Sequence, residues 1–441
     1  MSEAKLFAML PGWKYVYSEH PKNLQSCHRQ NSPAQNGDKN MRDFLMRPMS
    51  VLPCSRNLTF VRADGCMLYD VDDNSYIDAF AANGNVLAGH AQPEIITAYN
   101  TPHKDSARIL FDDLQQLLPS YLSLFQLFPS GVAALQQACR LSRQRRNRPY
   151  IIAISEDIVQ NSFLVMSSAD DEHFSPLFSI DTHFELVSHN LSHPPVTGEK
   201  RLSQLGKSCK GACLCSLESF FAELSDQTAA IIIEPSIGVG GSIEPCRNFF
   251  GRLNEFCLAS GIDLISNETQ CGIGRTGSRM FGFQLLNIHP DIVCAGPSIA
   301  NGYPLGVTIY AEHFADLIEP LGKPGCSACS AASATIRLIA DQNLLRRSEQ
   351  LGEYLKEKLH EVLGAHPLIN HIRGLGLMLE IELINQESAL ATHHRASRAG
   401  LITGTGNVRP GIIRLTPPLV FSADMADETV RILAQTIAAS D

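Results

Sequence analysis

Residues 229–306 read AAIIIEPSIGVGGSIEPCRNFFGRLNEFCLASGIDLISNETQCGIGRTGSRMFGFQLLNIHPDIVCAGPSIANGYPLG. AAIIIEP is a short, nearly continuous apolar run, as in a parallel strand that is buried on both faces. RNFFGRLNEFCLAS has apolar residues at Phe249, Leu253 and Phe256, which predicts a helix, and Gly261 suits its left-handed end. DLISNE and DIVCAG are two further buried strands. This alternation predicts an α/β layer architecture, with a ligand site where the strands end.

The composition is that of a soluble globular protein. Of the 441 residues, 44% are hydrophobic and 18% are charged, which suits a large core and two closely connected domains. The formal net charge of −9 argues against a nucleic-acid-binding surface. The short basic run RQRRNR, residues 143–148, is interpreted as the solvated end of a helix. No apolar run is long enough to span a bilayer.

The N-terminal segment and the cysteines predict a cytoplasmic protein with reduced thiols. MSEAKLFAMLPGW makes a poor secretion signal, because its apolar patch is short and is broken by a proline. Thirteen cysteines in a chain of this length do not form a disulfide scaffold. Two clusters, Cys209, Cys213 and Cys215 on one side and Cys326 and Cys329 on the other, lack a complete zinc pattern. No metal site is predicted, and a redox role of the second cluster is not favoured.

The segment 229–306 resembles the core of the class III aminotransferases, which bind pyridoxal phosphate (PLP) on the fold of fold-type I enzymes. The family's run is approximately E-P-x-x-G-x-G-G, a strand ending in D-E-x-Q, G-x-G-R-T-G, P-D-I-V, a lysine four residues on, and Y-P-L-G. The matching residues are Glu234, Pro235, Gly238, Gly240, Gly241, Glu268, Gln270, Gly272, Gly274, Arg275, Thr276, Gly277, Pro290, Asp291, Ile292, Val293, Tyr303, Pro304, Leu305 and Gly306. So many matches in one order, with uninterrupted spacing, make the departures from the pattern informative.

Two departures fall on the residues that carry the family's chemistry. The lysine that would hold PLP as a Schiff base is replaced by Pro297, which has no amine. The aspartate that would keep the pyridine nitrogen protonated is replaced by Asn267, which supplies no negative charge. The resemblance therefore implies no catalytic residue at the lysine position and no covalent cofactor linkage.

The family's phosphate loop, N-S-G-T-E-A at a helix N-terminus, is only partly kept. Ser130 and Gly131 remain, whereas Pro129, Val132 and Ala133 replace the asparagine, threonine and glutamate. A helix N-terminus with small residues favours a bound anion, and here a hydroxyl and further polar groups are missing. Ser130, Gly131, Val132, Asn267 and Gln270 are thus predicted to be a vestigial cofactor site with weak PLP binding.

Two further family positions are altered elsewhere in the chain. Ile158 and Val159 stand where an aromatic residue and a histidine follow a strand, so stacking on the pyridine ring is lost. Leu321 stands where a threonine reaches across the dimer interface to the partner's phosphate. Arg414, in IRLTPPL, falls on the arginine that often pairs with a substrate carboxylate. An ion pair between domains is an equally good interpretation of Arg414.

The resemblance extends over residues 60–440 and implies the fold. The N-terminal part of it matches at Gly65, Leu68, Asp70, Asp72, Tyr76, Asp78, Gly89, His90 and Pro93. His90 is interpreted as a structural histidine at a turn. The expected fold is a large α/β domain of fold-type I, with a mostly parallel seven-stranded sheet, and a smaller α+β domain. The expected division is residues 1–58 of unknown role, 59–95 in the small domain, 96–325 in the large domain and 326–441 in the small domain.

Three functions are compatible with these residues. The preferred one is a class III aminotransferase-like protein without ordinary transaminase activity, serving as a partner subunit or a ligand sensor. Family members are usually homodimers, so a homodimer, or a heterodimer with an active relative, is expected. The second is an enzyme that reuses the pocket for an amino or keto acid through Arg414, with Glu268 or Gln270 as polar partner. The third is an active aminotransferase that uses another lysine, Lys323.

Overall fold

The computed structural model describes residues 49–50, 58–154, 221, 224, 226–236, 247–318, 325–406 and 411–438. The first strands of this part are β1 Met49–Ser50, β2 Thr59–Asp64, β3 Met67–Asp70 and β4 Ser75–Asp78. They pair as an antiparallel sheet in the order β1-β2-β3-β4. Asp70 fixes the turn between β3 and β4, because its Oδ1 accepts the backbone N–H groups of Asp72 at 3.0 Å and Asn74 at 2.9 Å. Alternating apolar residues around Asp-rich turns in residues 60–95 predict a small antiparallel sheet with hairpin turns, and the strand pairing confirms it.

The central sheet carries the ends at which the site lies. Its strands are β5 Leu122–Phe128, β6 Tyr150–Ile154, β7 Thr228–Ile233, β8 Asp263–Asn267, β9 Ile292–Ala295 and β10 Gly306–Ala311, in the order β5-β10-β9-β8-β7-β6. The strands β6 to β9 are parallel, and β10 is antiparallel to both neighbours. Every residue of β7, β8, β9 and β10 is buried, as the apolar runs predict. The described residues supply six strands, whereas seven were expected.

Helices cover the central sheet and form the C-terminal part. They are α1 Pro93–Asn100, α2 Ser106–Gln115, α3 Gly131–Arg146, α4 Arg247–Ser260, α5 Gly282–Leu286, α6 Cys326–Asp341, α7 Leu344–Leu363, α8 Gln386–Arg398 and α9 Ala423–Ala438. The helix predicted over RNFFGRLNEFCLAS is α4, and Gly261 follows it with a φ of +62°. Apolar residues at nearly helical spacing from Ile336 to Leu359 predict one long helix. This prediction is wrong, because the chain breaks into α6 and α7 at Asn343, which has a φ of +53°.

The two ends of the described chain share a sheet. The remaining strands are β11 Ile369–Leu375, β12 Met378–Leu383, β13 Leu401–Ile402, β14 Gly404–Thr405 and β15 Ile412–Leu415. Four of them form an antiparallel sheet in the order β11-β12-β15-β14, while β13 pairs in parallel with β4 of the first sheet. This pairing supports the predicted small domain built from 59–95 and 326–441, and that division stays a prediction. None of the helices in the described residues has the length and apolar character to cross a bilayer.

Candidate functional site

The carboxyl ends of β7, β8 and β9 meet the N-terminus of α3 at one edge of the central sheet. A Cβ added to Gly131 would lie 2.8 Å from the carbonyl oxygen of Gly296 and 2.8 Å from Cγ2 of Thr269. A Cβ added to Gly306 would overlap the carbonyl of Ser130. The predicted site residues Ser130 and Gly131 therefore lie beside the segments that carry Asn267 and Pro297. Ligand sites of open α/β sheets lie at this edge.

Asn267 is held on both ends of its amide by the protein itself. Its side chain is buried, with 4% of the residue exposed. Nδ2 donates to Oε1 of Glu234 at 2.9 Å, and Oδ1 accepts from the hydroxyl of Thr269 at 2.8 Å and from its backbone N–H at 3.3 Å. The amide oxygen of Asn267 already accepts two hydrogen bonds from Thr269. The group that remains is the second N–H of Nδ2, which is a donor and cannot accept a hydrogen bond from a protonated ring nitrogen.

Glu268 anchors a helix and is not free to serve as a polar partner for a ligand. Its carboxylate accepts the backbone N–H groups of Gly282 and Phe283, both at 2.8 Å, and the hydroxyl of Ser266 at 3.1 Å. Burial raises the pKa of Glu268, and the two backbone hydrogen bonds oppose that rise. This structural role was missed in the sequence, where Glu268 was paired with Gln270 as a candidate. Gln270 is half-buried.

Pro297 lies just after β9 and begins the short 3-10 helix Ser298–Ala300. Its backbone oxygen accepts the N–H groups of Ala300 at 3.0 Å and Gly302 at 3.2 Å, so its polar group is used in that turn. The ring carries no amine, and the described lysines lie in other parts of the fold: Lys104 is exposed before α2, Lys356 pairs with Glu353, and Lys358 pairs with Glu361. Within the described ranges, no lysine takes the place of the one that Pro297 replaces.

The N-terminus of α3 has a capping residue but few of the polar groups with which the family binds the cofactor phosphate. The hydroxyl of Ser130 accepts the backbone N–H of Ala133 at 3.2 Å, so it satisfies one of the helix's own free donors. Gly131 is buried, and Val132 is half-buried and has no hydroxyl. Several other predicted positions lie outside the described residues: Ile158, Val159, Cys209, Cys213, Cys215, Leu321 and Lys323.

Arg414 is a buried residue of β15, and its partners were not predicted. Its Nε lies 3.1 Å from Oε1 of Glu380, directly across the ladder on β12, and its Nη1 donates to Oδ1 of Asn83 at 2.7 Å. Only 2% of Arg414 and 1% of Glu380 are exposed. The ion pair therefore lies within the C-terminal sheet, and Asn83 adds a contact from the N-terminal part of the chain.

A second buried guanidinium, that of Arg275, lies close to Arg414. Arg275 donates to the carbonyl oxygens of Leu377 and Gly84, each at 3.0 Å, and to that of Pro417. Burial and the positive charge of Arg414 lower the pKa of Arg275 to about 9, so Arg275 stays charged at neutral pH. The G-R-T-G motif thus supplies a residue that ties the central sheet to the loops around β15.

Three ionisable side chains meet at the opposite, amino-terminal edge of the parallel strands. Ligand atoms of Asp263, Asp291 and His313 lie within 4.8 Å of one another. Oδ1 of Asp263 accepts from Arg145 and Arg146, each at 2.6 Å. Two guanidiniums already balance this carboxylate, so the group is an ion-pair network between β8 and the C-terminal end of α3, and a cation would compete with both arginines.

The chain is similar to a known protein family, and to proteins of known name, over most of its length. The family profile described as "Aminotransferase class-III" matches residues 52–437. The chain belongs to the class III aminotransferase family. It is 29% identical over 415 residues to acetylornithine aminotransferase of Methanothermobacter thermautotrophicus, covering 90% of this chain and 97% of that one. It is 28% identical over 405 residues to 4-aminobutyrate aminotransferase GabT of Escherichia coli, covering 85% and 92% of the two chains.

Solved structures agree with this membership at the level of fold. An aminotransferase of Bacillus anthracis has a TM-score of 0.71 at 23% identity and covers 89% of this chain and 95% of its own. An ornithine aminotransferase of Toxoplasma gondii, described with partial occupancy of PLP at its active site, has a TM-score of 0.68 at 19% identity and covers 87% and 90%. The predicted α/β fold of fold-type I is confirmed.

Class III aminotransferases are PLP-dependent, and the residues present in this member do not fit the cofactor in its covalent form. Pro297 supplies no amine for a Schiff base. The amide of Asn267 is neutral, so it does not balance the charge of a pyridinium. Its oxygen accepts from Thr269, so it is not available to accept a hydrogen bond from the ring nitrogen. Val132 supplies no hydroxyl to a phosphate. These side chains therefore do not support the covalent chemistry of PLP at this position.

Proposed function

We propose that this member of the class III aminotransferase family has lost lysine-dependent amino transfer and keeps the fold as a partner subunit or a ligand sensor. The observation that carries the proposal is Pro297 at the position of the Schiff-base lysine. The described lysines, all distant in sequence from that position, offer no replacement. A pseudoenzyme of this kind would form a homodimer, or a heterodimer with an active relative, in the cytoplasm.

The cost of the replacements supports the proposal. Each charge-assisted hydrogen bond that the family makes to PLP and that this chain lacks removes about 1.5–3 kcal/mol. Losses at Asn267 and Val132, together with the missing covalent bond at Pro297, lower the affinity by orders of magnitude, since each 1.4 kcal/mol is about tenfold. The glycines at which the backbone segments approach closely, such as Gly131 and Gly306, are kept. If the fold is needed but the PLP chemistry is not, both the loss of the cofactor contacts and the retention of these glycines are explained.

The rival function is an enzyme that reuses the pocket. Relatives of this chain include aminotransferases and, at 27% identity over 408 residues, a protein named alanine/serine racemase from Pyrococcus horikoshii, so amino acid chemistry is the natural alternative. That function needs a free Arg414 to bind a carboxylate. The charge of Arg414 is already balanced by Glu380 at 3.1 Å, which favours the pseudoenzyme.

The test uses the purified full-length chain. It is incubated with excess PLP, freed of unbound cofactor and examined by near-visible absorbance, and then reduced with borohydride and analysed by mass spectrometry. The E. coli aminotransferase GabT, treated in parallel, is the positive control. We expect no retained absorbance and no reduced adduct on any lysine. A stoichiometric adduct would overturn the proposal, and its loss in Lys323→Ala would identify an active enzyme that uses Lys323.

A homodimer or heterodimer is tested separately. Light scattering of the pure chain reports self-association, and co-expression with a tagged active family member reports a mixed dimer. A dimer in either experiment supports the role of partner subunit. A monomer in both leaves the ligand sensor as the remaining form of the proposal.

A further inference from the structure

Two thiols lie one helical turn apart at the start of α6. The helix begins at Cys326, directly after Gly325, and Cys329 stands one turn further on. Burial raises the pKa of Cys329 to about 12, and the charge of Cys326 adds to the rise, which places the two groups close together. The sequence alone does not favour a redox role for this pair. The surroundings of the two side chains in the fold change that interpretation.

The two thiols differ in their access to solvent. Among the seven cysteines in the described part of the chain, Cys326 is exposed and the other six are buried. Cys329 is 0% exposed and belongs to the main hydrophobic core. A reagent from solvent therefore reaches Cys326 first. An exposed thiol beside a second thiol is the arrangement in which an attached group is displaced by the neighbour to form a disulfide.

We propose that Cys326 and Cys329 form a reversible disulfide when the chain meets a low-molecular-weight disulfide such as glutathione disulfide. The thiolate of Cys326 attacks one sulfur of that disulfide, forms a mixed disulfide and releases one molecule of glutathione. Cys329 then loses its proton to water, attacks Sγ of Cys326 and releases the second glutathione. Two protein thiols are oxidised, and one external disulfide is reduced to two thiols. This inference goes beyond the proposed function, because it concerns thiol chemistry and stands whether or not PLP binds.

The first turn of α6 has the freedom that closure of this bond requires. Residues one turn apart on a helix have about 5–6 Å between their Cβ atoms, whereas a disulfide needs about 3.5–4.5 Å, so the turn must tighten by about 1–2 Å. No side chain of the described residues caps this end of the helix. A Cβ added to Gly325 would meet nothing within 4 Å, so the backbone before Cys326 has room to move.

The rest of α6 is held in place, so the movement is confined to its first turn. The helix packs against α1 and against the 3-10 helix Ser298–Ala300. The backbone N–H of His103 donates to the hydroxyl of Ser330 at 3.3 Å, one residue beyond Cys329. Cys329 therefore stays fixed while Cys326 moves toward it. A disulfide that needs such a displacement is strained and is reopened easily by thiols, which makes the modification reversible.

A second pair of neighbouring thiols provides a matched control within the same chain. Burial raises the pKa of Cys294 on β9, and the charge of Cys139 on α3 adds to the rise, so these two groups also lie close together. Cys139 is 1% exposed and Cys294 is 0% exposed. This pair has the proximity but not the exposed thiol at which the reaction begins. We therefore expect it to stay reduced in the folded chain.

The experiment exposes the reduced, folded full-length chain to glutathione buffers with a rising share of glutathione disulfide, without oxygen. The chain is then unfolded in N-ethylmaleimide, digested without reduction and analysed by mass spectrometry. We expect a loss of two hydrogen atoms at Cys326 and Cys329, reversed by excess reduced glutathione, and maleimide on Cys139 and Cys294. The absence of this bond at every ratio, a bond from Cys326 to another cysteine, or equal oxidation of the control pair overturns the inference.

Two variants separate the two steps of the reaction. In Cys329→Ala no second thiol displaces the attached group, so we expect one glutathione to remain on Cys326. In Cys326→Ser we expect neither a disulfide nor glutathione on the buried Cys329. Cys326 is exposed, so Cys326→Ser tests the entry step even if Cys329→Ala does not fold. Glutathione on Cys329 in Cys326→Ser, or none on Cys326 in a folded Cys329→Ala, contradicts the inference. Because no arm uses PLP, failure here is distinct from failure in the borohydride test of the proposed function.

Discussion

Asn267 donates a hydrogen bond to Glu234 at 2.9 Å, which joins the carboxyl ends of two neighbouring parallel strands. The contact places an amide against a buried carboxylate at the position where the family has an aspartate. A neutral donor suits Glu234 when no positive ring is present, whereas a second carboxylate would repel it. Asparagine at position 267 therefore suits the neighbouring carboxylate of Glu234 better than an aspartate would when no positively charged ring is bound.

The first prediction follows from this pair. Asn267→Asp replaces a donor by a second acceptor, so we expect a loss of about 1.5–3 kcal/mol in the free energy of unfolding near pH 8. The loss should shrink near pH 5, because one proton shared by the two carboxylates restores the contact. Urea denaturation at both pH values measures it. Asn287→Asp, at an exposed left-handed helix end, is the control and should be nearly neutral.

Addition of PLP decides how this first result is interpreted. If the restored aspartate rebuilt a cofactor site, PLP would recover the lost stability at pH 8. We expect no recovery, because Pro297 and Val132 remain. Stabilisation of Asn267→Asp by PLP, greater than that of the wild type, would contradict the account of the vestigial site.

The second prediction concerns the close approach of β10 to the start of α3. A Cβ on Gly306 would overlap the carbonyl of Ser130, which is backbone and cannot swing aside. Gly306→Ala should therefore destabilise the chain by about 1–3 kcal/mol, as overpacking of a core does. Gly251, inside α4, has open space around its Cβ position, so Gly251→Ala should stabilise by about 0.5–1 kcal/mol. Thermal unfolding of both variants checks the opposite signs, and equal effects would refute the contact.

Local patterns in the sequence predicted the framework of the site but not its contacts. The strands β7 to β9 and the helix α4 follow from apolar runs and spacing within short windows. The break between α6 and α7 was missed, because it falls at an asparagine, Asn343, and neither a glycine nor a proline marks it in the sequence. The partners Glu380 and Glu234 were missed for a different reason: each contact depends on the register of strands about 30 residues apart, which no local pattern reports.

The third prediction is an acid-sensitive contribution from His393. This residue is 3% exposed, its Nδ1 lies 2.9 Å from the hydroxyl of Thr403, and burial together with His394 lowers its pKa from 6.5 to about 4. The unfolded chain therefore takes up the proton first as the pH falls. Stability is fully present above about pH 6.5 and declines toward pH 4, by about 1.4 kcal/mol for each pH unit.

The variant His393→Gln should flatten this acid limb, because it removes a group that binds a proton at a higher pH in the unfolded state than in the folded state. Between about pH 7 and pH 5 we expect the variant to lose roughly 2 kcal/mol less than the wild type in urea denaturation. His360→Gln, at an exposed position on α7, should keep the wild-type slope. An unchanged slope in His393→Gln would show that the buried histidine does not set the acid limb.

The last prediction concerns the ionisable side chains at the amino-terminal edge of β8 and β9. Burial and the charge of Asp291 raise the pKa of Asp263, and Arg145 and Arg146 lower it by binding its carboxylate. A divalent cation at Asp263, Asp291 and His313 must overcome both guanidiniums. We therefore expect neither EDTA nor Zn²⁺ to change the Tm of the wild type. In Arg145→Met/Arg146→Met the carboxylates lose their counterions, so Zn²⁺ should raise the Tm in an EDTA-reversible manner. A zinc-dependent rise already present in the wild type would mean that the arginines do not exclude the cation.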